Sequence, residues 1–514
     1  MVFHQHNKGI QGEFQPPFNQ DLIALANSLN QPLPTGYHPS IFSTQFLRND
    51  FAKFQNAYNW SPHLPSLTMS IKAIRAILGN HLFGSTKSAR KAIEQIDKTK
   101  SPGYPWNAYY STKQQVIDNH LDLLLSIIEE IRKSGKCEFT FMGTTYYHTF
   151  WQCSPKSEMR VIDKMIHPSH EKRKTRTFFA GDIIVHIVGF MLFSEQNDNL
   201  LNAHSTTWSK VGFSPFYGGF NQLAQYLLAR GQNKFNYFDV SHMEASLKEI
   251  LLMIIYDLRR DFLIFSEGDE NCFKFVLDAI IYSIIIDVDG FLCMMFGGNP
   301  SGGFNTLMDN TIALYFTLIY TLARQSSTYE ELMDKINSHH CACLGDDSVV
   351  PAHPDFDHYI EHAAELGFDV KPECPPGPLE AGKFVNSEFV KIGQTWFPKP
   401  NAEKIKANIY FYFKSRSWRL TFVKVCALRV LNWNFPKQRK EAEDIIRWIV
   451  NHRDHHMRHE YTMDSKISYE SAKAAYLPKQ QIEFLWSGNE SGLIVNTPQL
   501  CSLVGFCSAY LINM

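Results

Sequence analysis

HHCACLGDDSVV, residues 339–350, is the stretch on which the reading of this chain turns. Two short apolar runs, Cys341 to Leu344 and Val349 to Val350, flank a Gly-Asp-Asp tip, and that pattern predicts two buried strands joined by a tight turn at Gly345. The hairpin presents Asp346 and Asp347 at its exposed end. Paired carboxylates on a rigid hairpin suit a divalent cation, because hard oxygen ligands favour magnesium or manganese and a strand fixes their position better than a loop. Acidic hairpin tips also occur as plain solvated turns. Which reading applies depends on the chemistry carried elsewhere in the chain.

With 514 residues, 44% hydrophobic and 14% aromatic, the sequence is that of a folded protein with a large core and more than one packing unit. The formal net charge is only -1, so a nucleic-acid partner must be met by local basic surface and not by a generally cationic molecule. Ten cysteines are scattered without a close-spaced zinc pair or a preceding secretory signal, and a reducing cytoplasmic setting is expected. His452, His455, His456 and His459 fall in a charged, helix-like stretch that reads as a solvated face. The apolar run 183–193 is too short to span a bilayer and 279–296 is broken by Asp287 and Asp289, so no integral membrane segment is expected.

In chain order, the first 60 residues read as an irregular arm or lid with a helix near Asp21 to Leu29. Helical spacing follows over Ser66 to Leu78 and Val116 to Arg132. Between them, Ser101-Pro102-Gly103-Tyr104-Pro105-Trp106 is a stiff loop whose Tyr104 and Trp106 offer flat faces to a nucleic-acid strand, or simply form a rigid structural loop. The densest charge comes next: Lys156, Arg160, Lys164, Lys172, Arg173, Lys174 and Arg176, against Glu158, Asp163 and Glu171. Strand alternation through KRKTRTFF places Lys172, Lys174 and Arg176 on one face, a row able to neutralise phosphates.

Lys234 to Val240 reads as a central strand carrying Asp239, with Glu244 five positions on; the plain alternative is a helix cap and a surface acid. After a strand candidate at Leu292 to Phe296, GGNPSGGFNTLMDNT puts glycines where a backbone can approach closely and sets Thr306 and Asn310 on one face of a helix. It lacks both the dinucleotide fingerprint and the GK[ST] ending of a phosphate-binding loop. Beyond the hairpin, Tyr359 to Leu366 reads as a helix, Lys371 lies near an edge strand, KFVNSEFV is strand-like, and helices fill the region from about Asn401.

Taken in this order, the residues resemble the palm of an RNA-dependent RNA polymerase of positive-strand RNA viruses, in the picornavirus-like group. GNPSG and SPFYGGF narrow the resemblance to astrovirus-like polymerases. It implies an α+β right-hand fold of fingers, palm and thumb, with the palm an antiparallel sheet flanked by helices. The expected divisions are residues 1–230 for an N-terminal extension and fingers, 231–397 for the palm with a fingers insertion around 262–290, and 398–514 for the thumb.

By the same resemblance, Asp239 and Asp346 are the metal-binding carboxylates, and Asp347 is the adjacent acid. The cofactor is magnesium, with manganese able to substitute. Glu244 stands where the family usually has an aspartate that recognises the sugar hydroxyl. Ser301, Gly302, Thr306 and Asn310 match the element that senses template and nucleotide sugar. Lys156, Arg160, Lys172 and Arg176 match the basic fingers around the triphosphate. Ser101, Gly103 and Tyr104 fall where template enters, Lys371 matches the proton donor for pyrophosphate, and Phe384 and Ser387 lie in the primer-supporting strand.

The implied reaction is template-directed, two-metal transfer of a nucleotide from a ribonucleoside triphosphate to an RNA 3′ hydroxyl, for viral replication and transcription. The implied partners are template and nascent RNA, with a viral protein primer and other replication proteins, in membrane-associated complexes of the host cytoplasm. Two other readings stand beside it: a reverse transcriptase, and a noncatalytic RNA-binding scaffold with a polymerase-like palm.

Overall fold

Phe235–Ser241 (β1) is rich in aromatic and β-branched residues, and its neighbours in the sheet bury Phe235, Tyr237, Phe238 and Val240. The computed structural model describes residues 18–55, 59–411, 417–460 and 467–487. In it β1 is joined by Ala342–Leu344 (β2), Asp347–Pro351 (β3) and Asp369–Pro372 (β4) in the order β2-β3-β1-β4, every pairing antiparallel. The register sets Asp347 and Lys371 directly across from Asp239 on either side, which puts all three on one face of the sheet.

The opposite face rests on helices. Thr306–Arg324 is apolar nearly all round and is buried along most of its length, as expected of a helix covered on every side. Leu64–Leu78 and Tyr359–Glu365 pack against it. Each buried Leu, Ile or Phe here contributes about 1.5–3 kcal/mol relative to exposure. One contiguous core joins this layer to the sheet, running from Leu67 to Trp396 and including residues of 200–227.

A second core is built around Ile183–Asn202 and Lys113–Ser134. The latter starts at a capping box made by Thr112 and Gln115 and ends at Gly135, whose φ of 72° suits a residue without Cβ. Strands 151–155, 177–181, 284–286 and 292–294 form its sheet, and the helix Asp269–Ile281 leads into the third of them. A third core gathers the helices of 402–486.

In the N-terminal arm the helix expected near Asp21 to Leu29 forms, and the described residues after it are also tied into the fold. Gln20–Ser28 is helical and sends Leu22, Leu25 and Ala26 into the third core, while Tyr37–Pro39 pairs with Met159–Val161. Long-range packing supplies what local propensity lacked. Trp106 departs from expectation: it is fully buried, its ring packs on Phe139 and Phe141, and its indole donates to Asp182, so it offers no face to a nucleic acid.

Candidate active site

Gly345, with φ 63°, and Asp346 form the turn between β2 and β3, and Asp347 already pairs with Leu344 as the first residue of β3. Thr311 on the buried helix fixes the tip by accepting the Gly345 N–H at 2.9 Å, and the Val240 N–H donates to the Asp346 carbonyl at 3.2 Å. Asp239, Asp346 and Asp347 thereby line one cleft of about 620 Å³, together with Glu373. Burial and the charges of Asp346 and Glu373 push the Asp239 carboxyl up to about 6. Burial likewise raises Asp346, and it raises Asp347 with the help of Asp346, Glu373 and Asp239. Crowded oxygen donors whose ionised forms repel each other are the chemistry that a hard divalent cation relieves.

The cleft's other wall is basic. Lys156, Arg160, Lys164, Arg176 and Lys404 line it, and Glu158 sits at the centre of the first group, 3.4 Å from Lys156, 3.1 Å from Arg160 and 3.7 Å from Arg176. Burial brings the Lys404 ammonium down to about 8, against the pull of Glu158. Lys404 lies far along the chain in a segment read only as closing helices, and no local pattern marked it. Lys172 does not join this wall: the strand runs only over Thr177–Gly181, and Lys172 ends an exposed 3₁₀ turn, His170–Lys172. The expected row of Lys172, Lys174 and Arg176 along one strand face is therefore not formed.

Glu244 turns away from the carboxylate cluster toward Lys53 of the 3₁₀ turn Ala52–Gln55, whose Nζ lies 2.5 Å from Glu244 Oε1. Although burial opposes ionisation, the Lys53 ammonium and its hydrogen bond hold Glu244 down at about 2. The glycine-rich loop packs on the Glu244 segment through backbone bonds from Gly298 N to the Leu247 carbonyl (2.7 Å) and from Asn299 N to the Glu244 carbonyl (2.8 Å). Asn299 then donates its side-chain amide to Asn310 Oδ1 at 2.9 Å. Thr306 donates to the Pro300 carbonyl at 2.6 Å, so its hydroxyl shapes the loop. Ser301 is exposed, and Gly302 is pressed so close to Phe179 that a Cβ would stand 1.8 Å from its carbonyl oxygen.

Lys371 faces the same side of the sheet as Asp239, but its Nζ is 2.9 Å from Asp369 and its side chain is mostly exposed. Ser101 is exposed, Gly103 (φ 74°) lies against the Gly181 carbonyl, and Tyr104 is half-buried against Tyr146 and Phe150. Phe384 and Ser387 are both buried, so their side chains are not free to touch RNA. Between them Val385 (φ 51°) and Asn386 (φ 58°) make the two-residue turn from Lys383–Phe384 (β5) to Ser387–Ile392 (β6), and these two line the cleft instead. A positive φ at valine is strained, and no residue pattern marks it.

A separate group, His339, His353 and Asp355, brings ligand atoms capable of holding a cation within 4.8 Å of one another.

The family described as "Viral RNA-dependent RNA polymerase" matches residues 79–443. The chain belongs to that family. It is 26% identical over 326 residues to the genome polyprotein of Beet mosaic virus, which covers 62% of this chain, and 23% identical over 436 residues to that of Soybean mosaic virus (strain N), which covers 83%. The chain spans about a tenth of the length of the curated relatives it matches, the share being 10% for the Beet mosaic virus polyprotein. Among solved structures it is similar to the Sicinivirus 3Dpol RNA-dependent RNA polymerase, with TM-score 0.63 and 19% identity over 81% of this chain and 88% of that one. The fold is that of a right-hand polymerase with fingers, palm and thumb. These relatives are picornavirus-like, potyviruses among them, and they lend no support to the narrower astrovirus-like resemblance.

Proposed function

We propose that this chain extends RNA on an RNA template, using ribonucleoside triphosphates, as the replicating polymerase of a positive-strand RNA virus. The observation that carries this reading is the meeting, in one cleft, of Asp239, Asp346 and Asp347 with Lys156, Arg160 and Arg176. A noncatalytic RNA-binding scaffold has no need of half-buried carboxylates crowded against one another, since leaving them unneutralised is costly.

Asp239 and Asp346 would hold magnesium, or manganese in its place, and Asp347 borders the same site. Bound there, the metal supplies positive charge that makes the attacking hydroxyl more acidic and neutralises the reacting phosphate. Arg176, Lys156 and Arg160 orient the triphosphate, exchanging their contacts with Glu158 for phosphate oxygens. Glu244, Ser301 and the Asn299–Asn310 pair read the ribose hydroxyls, while Thr306 and Gly302 keep the loop in place. A reverse transcriptase would instead close this position with a bulky group. Lys371, once released from Asp369, delivers a proton to departing pyrophosphate. Ser101, Gly103 and Tyr104 border the incoming template, and the turn at Val385 and Asn386 supports the primer.

Residues 1–230 are assigned to the extension and fingers, 231–397 to the palm with a fingers insertion around 262–290, and 398–514 to the thumb, of which 488–514 lie outside the described residues. Among the described residues no helix is long and apolar enough to cross a membrane. Work in membrane-associated complexes of the host cytoplasm would then depend on partners, a protein primer among them. A defined RNA template, offered with and without primer and with ribo- or deoxyribonucleotides, tests the reading: primer extension with ribonucleotides supports it, and extension with deoxyribonucleotides alone points to a reverse transcriptase.

A further inference from the structure

The hairpin that carries Asp346 has a second end. His339 precedes β2 by three residues and His353 follows β3 by two, so the two histidines flank the open base of the hairpin. That base lies roughly 20 Å along the strands from the Gly345 turn, at about 3.3 Å per residue. Asp355 stands just beyond, in the 3₁₀ turn Pro354–Phe356. His339 Nε2 is 2.8 Å and His353 Nδ1 is 3.2 Å from the same atom, Asp355 Oδ2.

We propose that His339 Nε2, His353 Nδ1 and Asp355 Oδ2 bind one zinc ion, with water as fourth ligand, and that this ion staples the base of the catalytic hairpin. Two imidazoles and one carboxylate form a donor set that suits zinc; the 3.2 Å spacing is that of neighbouring ligands of a small tetrahedral ion, and the 2.8 Å spacing has to open to about 3.3 Å to admit it.

Two details of the surroundings favour a cation over a plain ion pair. His353 Nδ1 accepts the Asp355 backbone N–H at 3.3 Å, which requires a lone pair on that nitrogen. That neutral nitrogen makes no ion pair with Oδ2, 3.2 Å away, and its lone pair becomes available to zinc once the ring turns from the long 3.3 Å contact with the Asp355 N–H.

The second detail is Gln232. Its Nε2 lies 3.3 Å from His339 Nδ1, while its Oε1 is buried without a hydrogen-bond partner. Amide oxygen and nitrogen are interchangeable in shape, so turning the amide over lets Oε1 accept from His339 Nδ1–H, at the cost of the long 3.4 Å bond that Nε2 donates to the Ser338 carbonyl. The Nε2 lone pair of His339 is then directed at Asp355, and a carbonyl oxygen backs the ligating histidine, as metal-bound histidines commonly require. The other carboxylate oxygen, Oδ1, lies 4.0 Å from Lys335 Nζ, whose charge is shared with Glu331 at 3.1 Å; Oδ2 remains for the metal. The sequence offered no cysteine-bearing motif here, and the histidines it did single out, on Pro436–His459, lie elsewhere.

The test uses the full chain, stripped with a chelator and titrated with zinc chloride, followed by calorimetry, metal content and thermal melting. His353→Ala is the informative variant, because that ring is half exposed and its loss leaves the core intact; His455→Ala, an exposed residue of Pro436–His459, is the control. One zinc per chain is expected, retained by His455→Ala and lost by His353→Ala, with melting raised by zinc only where zinc binds. Gln232→Leu should weaken binding by about 10–100-fold. Cobalt in place of zinc should give a tetrahedral spectrum. Absence of stoichiometric binding at micromolar zinc overturns the proposal in favour of a histidine–aspartate ion pair, and so does binding that His353→Ala and Asp355→Asn leave unchanged.

Discussion

Lys53 Nζ stands 2.5 Å from Glu244 Oε1 and 2.9 Å from Asp50 Oδ2, and Asp50 in turn accepts the Thr177 N–H and hydroxyl, each at 2.8 Å. Lys53 thus ties Glu244, the acid proposed to read the sugar, to the strand Thr177–Gly181 that follows Arg176. Because Lys53 is almost wholly buried, removing its charge leaves two carboxylates unpaired, at a cost of about 3–5 kcal/mol. Lys53→Met is expected to lower the melting temperature and to erode the preference for ribo- over deoxyribonucleotides. Adding Glu244→Gln should recover part of the stability but not the preference. A Lys53→Met chain that keeps full discrimination in a competition assay would separate Glu244 from sugar reading.

Glu158 holds Lys156, Arg160 and Arg176 in the absence of substrate. Glu158→Gln removes the competing charge but also the anchor that aligns them. Single-nucleotide addition should show a lower KM together with a kcat reduced about tenfold, the mark of tighter but poorly oriented binding. Unchanged kinetics would mean that the three cations need no internal template.

Gly302→Ala brings a Cβ to 1.8 Å from the Phe179 carbonyl oxygen, a contact that backbone cannot relieve without moving. Overpacking of this kind costs about 1–3 kcal/mol, and here it also shifts the loop that carries Ser301. A fall in melting temperature with a raised nucleotide KM is expected. Wild-type values for both would show that the loop is free of the strand.

Strand patterning placed Asp239 on a central strand and Asp346 at a hairpin tip, but only the family resemblance said that the two meet; the glycine-rich loop was legible because close packing excludes side chains. Lys53, Lys404 and Glu373 were not, since each reaches the site through tertiary packing that no local spacing encodes. For a related reason alternation locates the strands but not the turn between them, so neither the burial of Phe384 and Ser387 nor the placing of Asn386 and the buried Val385 along the cleft can be read from the sequence. The strand placement of Lys172 does not hold because charge alternation carries no backbone preference, and the chain there forms the 3₁₀ turn His170–Lys172.

Burial raises the Asp182 carboxyl to about 7 despite the Ile184 N–H, the Trp106 indole and Lys113, all of which favour its ionised form. The folded chain therefore keeps a proton that the unfolded chain releases near pH 4. The stability from this group is full below about pH 4 and declines as pH rises toward 7, at no more than about 1.4 kcal/mol per unit. Asp182→Asn retains a carbonyl acceptor and removes the titration, so melting temperature between pH 4.5 and 7 should vary less than in the wild type. Parallel profiles would assign the pH dependence to other groups.

We propose that Asp239 on β1 and Asp346 in the β2–β3 turn are the chemical centre of an RNA polymerase. Primer extension on an RNA template with magnesium, comparing wild type with Asp346→Asn and Asp239→Asn after matching their circular dichroism and melting, tests it most directly. Ribonucleotide incorporation by the wild type, and a loss of at least about 100-fold in either variant without unfolding, is the predicted result. Incorporation that survives in a folded Asp346→Asn chain would contradict it.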